Sequence, residues 1–85
     1  MPTPEEFRDE EIRLRRVRLI VDFTSNLLMQ SGMARGEAER LVHVARLSIL
    51  ELFPGRDQTF DLLYARRFRR LIDEFTVPDF EGRPS

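Results

Sequence analysis

The sequence predicts an all-α fold: three antiparallel helices, the first the longest, in a bundle that self-associates. Two observations predict it. Apolar residues recur at three- and four-residue steps along most of the chain, with no strand-like alternation. Glycine and proline are clumped at Gly32, Pro54-Gly55 and Val77-Pro78, which cuts the chain into three segments. The connections run to about four to six residues, short enough that consecutive helices pack antiparallel.

The first helix is expected over 4–31. Thr3 caps it, Pro4 suits the first helical position, and Glu6 reaches back to complete a capping box. Gly32 supplies the stop. At about 1.5 Å per residue this is a rod of roughly 40 Å. In its second half Val17, Leu19, Ile20, Val21, Phe23, Leu27 and Leu28 cover well over half the circumference. Leu19 and Val21 lie about 160° apart, with apolar residues filling the arc between them. A surface helix needs a stripe only about 100° wide. Two partner helices within the chain account for part of this girth. The rest, with Phe7 and Leu14 upstream, is expected to meet a second protein. The expected interface is therefore Phe7, Leu14, Val21 and Leu28. Helix one also exceeds the others by about two turns, so its end should overhang.

The second helix is expected over 35–53. Glu37 and Glu39 sit in its first turn, where the helix dipole favours acids. Ala34 occupies the cap position, so the start is weakly capped. Ala38, Leu41, Val42, Ala45, Ile49, Leu52 and Phe53 form one apolar face, and Pro54-Gly55 ends the helix. The third is expected over 58–76, after a cap at Asp57. Phe60, Leu63, Tyr64, Phe68, Leu71, Ile72 and Phe75 form its core face. Residues 77–85 lack a period and are expected to fray. The three helices thus make one domain, 1–76.

Composition then narrows the function classes. A chain of 85 residues makes one small domain, and the absence of cysteine removes disulfides and thiolate metal sites. The net charge of −1 gives no global attraction to nucleic acid or to an anionic membrane. No apolar run approaches the roughly 20 residues needed to span a bilayer. The opening MPTPEEFRDEE is acidic where a signal peptide would be basic and then apolar, so a cytoplasmic location is expected. All 14 basic residues are arginine, so no lysine exists for Schiff-base chemistry.

Individual candidates for chemistry give little. His43, the single histidine, follows Glu39 by four residues, and one histidine cannot furnish a di-iron helical site. As a general base it lacks a nucleophile: Ser48 lies on a different helical face. Asp22 shares a polar strip with Arg15, Arg18, Ser25 and Asn26, where Arg18 is spaced to pair with it. GMARG lacks the Lys-Ser/Thr of a phosphate loop. No catalytic residue, metal ligand or cofactor is expected, and the chain is not expected to be an enzyme.

The arginine-rich segment DLLYARRFRRLIDEF raises nucleic-acid binding as an alternative through Arg66, Arg69 and Arg70, with Arg13, Arg15, Arg16 and Arg18 if folding unites the two clusters. From Asp61 to Phe75, however, three acids accompany the four arginines, and Phe68 belongs to the core face. A phosphate-tracking patch wants its cations on one side with few acids nearby. Helix-turn-helix domains are also three-helical, but their helices are shorter and their recognition helix presents polar residues to the groove. Arg67 lies about 20° from Phe60 and 40° from Leu71 on a regular helix, so it is expected beside the core, paired with Glu74 or with an acid of another chain. The expected function is a helical interaction module, a homodimer or a partner of another helical protein, acting through helix one.

Overall fold

Helix α1 (Pro4–Gln30) begins as its sequence requires. The computed structural model describes residues 3–78, and at its start the Thr3 hydroxyl accepts from the Glu6 amide at 3.1 Å while Glu6 accepts from the Thr3 amide at 2.9 Å. This reciprocal pair, with Pro4 at the first position and acids in the first turn, stabilises a helix end that has little else to hold it. From Pro4 to Arg16 every residue is exposed, and burial starts at Val17. Gly32, with φ of 61°, makes the left-handed turn that ends the rod.

Helix α2 (Arg35–Leu52) runs back along α1 and buries Ala38, Ala45 and Ile49. Leu41, Val42, Leu52 and Phe53 pack against the same core, so the face read from the sequence is the face that is used. Its start lacks a side-chain cap. A backbone group substitutes: the Arg35 amide donates to the Val77 carbonyl at 2.8 Å, and the Val77 amide donates to Met33 at 3.1 Å. The Arg35 guanidinium then pairs with Asp73 at 2.8 Å and Glu39 at 3.5 Å. Its hydrogen bond to Asp73, followed by the charges of Asp73 and Glu39, raises its pKa above the usual arginine value. Val77 therefore belongs to the fold, one residue beyond the domain limit expected from sequence. Residues 79–85, also expected to fray, lie outside the described residues.

Gly55, with φ of 79°, turns the chain into the third rod. This rod is α3 (Asp57–Phe60), a π-helical turn (Asp61–Ala65) and α4 (Arg66–Phe75), following one another without a break in helical backbone. Asp57 is the first helical residue rather than the cap; it occupies the first turn, where the dipole favours its charge.

The π turn changes which residues face inward. On a regular α-helix Phe60 and Ile72, twelve residues apart, diverge by about 120°. Both are nevertheless buried, together with Phe68. A turn with i→i+5 bonds holds one extra residue and so absorbs about 100° of that divergence. Phe60, Tyr64, Phe68 and Ile72 then line one face, with Phe60 ring centroids 5.7 Å from Tyr64 and 6.3 Å from Phe68. Leu63, expected in the core, is turned outward. Phe75, also expected there, is exposed in the last turn of α4.

Together the helices bury Val17, Val21, Leu28, Ala38, Ile49, Phe60, Phe68 and Ile72 in one cluster. Thr24 and Ser25 are buried on α1 as well. The sequence placed Ser25 on a polar strip, but its small side chain lies under the neighbouring helices, with its hydroxyl unpartnered. The bundle is all-α: the single bridge between Ala34 and Val77 is a pair of residues, not a strand.

Candidate protein-interaction surface

Burial divides the four expected interface residues. Phe7 is 61% exposed and Leu14 is 46% exposed, whereas Val21 is 3% exposed and Leu28 is fully enclosed. The last two therefore correct the sequence expectation. The physical cause is coverage: α2 ends and the third rod begins level with the middle of α1, so its inward stripe is core from Val17 onward and bare before it.

Where the bundle ends, the bare stripe runs into a groove of about 130 Å³. Leu14 and Val17 of α1 form one wall, Ile49 and Phe53 of α2 a second, and Phe60, Leu63 and Tyr64 of the third rod a third. Its charged side chains are Glu10 and Arg56. Above Phe53 the Arg13 guanidinium lies 5.3 Å from the ring centroid, a cation–π contact that fixes this edge of the site. Leu63 reaches the groove because the π turn directs it outward, at 60% exposure, and Leu62 beside it is more exposed still. Sequence reading missed both as surface residues. A clue was available in the four-residue spacing of Phe60, Tyr64, Phe68 and Ile72, which a regular helix cannot keep on one face.

A second apolar strip lies on the back of α1, where Ile12, Leu19 and Phe23 are exposed. They fall within about 40° of one another around the helix. Leu19 and Ile20 share a shallow groove with Ser48, Glu51 and Leu52 of α2, and Arg16 edges it. The girth of α1 is thus only partly consumed by its own bundle, as its wide apolar arc implied.

The arginines do not assemble into one face. Arg66, Arg67 and Arg70 surround a groove that also contains Glu74. Arg69 lies in a different one, with Arg35, Arg46, Glu39 and Asp61. There Arg46 pairs with Asp61 at 3.3 Å and stands 5.8 Å from the centroid of the Phe60 ring. Arg16 of the first cluster is in a third groove.

Arg67 is exposed, contrary to the expectation that it lies beside the core. The wheel that placed it there was counted from Phe60, across the π turn. Beyond that turn Arg67 follows Leu63 outward, and neither Glu74 nor any other described acid ion-pairs with it. Arg67→Met is therefore expected to shift stability by no more than about 0.5 kcal/mol, the range of ordinary surface substitutions. A denaturation midpoint lowered by several times that amount would restore a buried pair.

His43 and Asp22 are both exposed. Among the described residues no helix is long and apolar enough to cross a membrane. No protein-family model matches the chain, and no match is found among curated proteins or solved structures.

Proposed function

We propose that the chain is a helical protein–protein interaction module that self-associates through the amino-terminal half of α1. One observation carries this reading: the stripe that forms the core from Val17 onward continues upstream as exposed Phe7 and Leu14, beside an apolar groove at the end of the bundle. Exposed apolar side chains that continue a core face and adjoin a concave apolar surface are the usual ingredients of an interface. The module works by binding: the groove is lined mainly by apolar side chains, with Glu10 and Arg56 as its charged groups.

Sedimentation at micromolar concentration tests it. The wild-type chain is expected to run as a dimer and Leu14→Glu as a monomer of unchanged helicity, because Leu14 is half exposed in the folded single chain. A wild-type protein that stays monomeric as its concentration is raised would remove the reading.

A further inference from the structure

Resting on that reading of self-association, we infer that two copies pair antiparallel along the amino-terminal halves of α1, each seating its Phe7 in the other's groove between Leu14, Val17, Phe53, Phe60 and Tyr64. The occupant is thus a second copy of this chain. Three physical features lead there: size, reach and charge.

Size comes first. An apolar cavity of about 150 Å³ accepts a benzene ring. The groove, at about 130 Å³ and open to one side, matches a single phenyl group. Phe7 is the exposed aromatic on the same stripe. It cannot fill its own groove, because α1 is an unbroken helix that holds Phe7 about 15 Å from Val17.

Reach follows from the same distance. Turning a second copy end for end about a two-fold axis near Ile12 sets Phe7 of each chain opposite Val17 of the other. Both grooves are filled by one operation, so the pairing is closed and self-complementary rather than open-ended. The two bundles then stand toward opposite ends of the paired helices.

Charge decides the direction. Residues 5–11 of α1 contain five acids and one arginine, and residues 13–18 contain four arginines and no acid. A parallel pair would align like blocks. The antiparallel pair lays the acidic block of one helix along the basic block of the other. Among the described residues these groups form no ion pair: the described pairs join Arg35 to Glu39 and Asp73, and Arg46 to Asp61. Complementary potentials of this kind fix register and suppress the wrong orientation.

Because the chain has no cysteine, single nitroxides can be placed on Ile12→Cys and, separately, on Gln30→Cys. Both residues are exposed on the back of α1, away from the pairing stripe. In the antiparallel dimer the two Ile12 labels lie at nearly the same height. The two Gln30 labels are offset along the helix by about 54 Å, twice eighteen residues. The expected pulsed-EPR result is a far longer distance for Gln30 than for Ile12. Phe7→Ala is expected to keep its helicity and weaken the dimer about thirtyfold or more, as truncation of a buried aromatic anchor does. Equal distances at the two sites would overturn the antiparallel pairing while leaving self-association standing. A dimer indifferent to Phe7→Ala would overturn the seating of Phe7. A wild-type chain that remains monomeric would overturn both proposals.

Discussion

Phe68→Ala is expected to lower the stability of this protein by about 3–5 kcal/mol, the usual cost of emptying a buried aromatic site. Phe68 is 1% exposed and is one of the two largest side chains fully enclosed by the fold. It also has few substitutes: α4 buries only Phe68 and Ile72. A chain of this size holds roughly 4–13 kcal/mol of folding free energy at about 0.05–0.15 kcal/mol per residue. One truncation would therefore remove much of it, and α4, with the Val77 contact that caps α2, would be the first region to loosen. Urea denaturation followed by far-UV circular dichroism measures the loss. Phe68→Leu, which keeps most of the apolar volume, is expected to lose clearly less. A midpoint unchanged by Phe68→Ala would mean that the third rod packs through a different face, and the π turn would lose its rationale.

Val21→Glu is expected to unfold the chain rather than merely dissociate it. The side chain is 3% exposed at the centre of α1, within the cluster that includes Val17, Leu28 and Phe68. A carboxylate there must either ionise without a partner or take up a proton to become neutral, and either outcome costs several kcal/mol on top of the lost apolar packing. The described ion pairs of the arginines all lie outside this cluster, so compensation is not at hand. The contrast with Leu14→Glu is the informative part. Leu14 and Val21 are seven residues apart on the same stripe, yet the first substitution should leave helicity intact and the second should abolish the cooperative transition. If both variants dissociated and both stayed folded, α1 would be packing chiefly against a second chain, and its coverage by α2 and α4 would be wrong.

That pair of residues shows where legibility in the sequence stopped. Periodicity reports that Leu14 and Val21 face the same way, but it does not report what lies opposite. Phe7, Leu14, Val21 and Leu28 share one stripe, and periodicity does not mark where its buried part begins. The groove was invisible for a related reason, since its walls come from three helices distant in sequence.

Local chemistry did specify a great deal. Thr3, Pro4 and Glu6 start α1, Gly32 ends it, Pro54-Gly55 ends α2, and the apolar face of α2 is the one buried. These features depend on hydrogen bonds and dihedral preferences among residues a few positions apart, so the sequence alone determines them. The extent to which α1 is covered depends on where α2 stops and the third rod starts alongside it. The outward turn of Leu63 and Arg67 depends on a π turn whose extra residue is accommodated by packing of Phe60, Phe68 and Ile72. The cap of α2 comes from Val77, 42 positions after Arg35, which no local motif announces. Only the tertiary structure decided these, because each is a contact between segments whose separation along the chain carries no signal of their meeting in space.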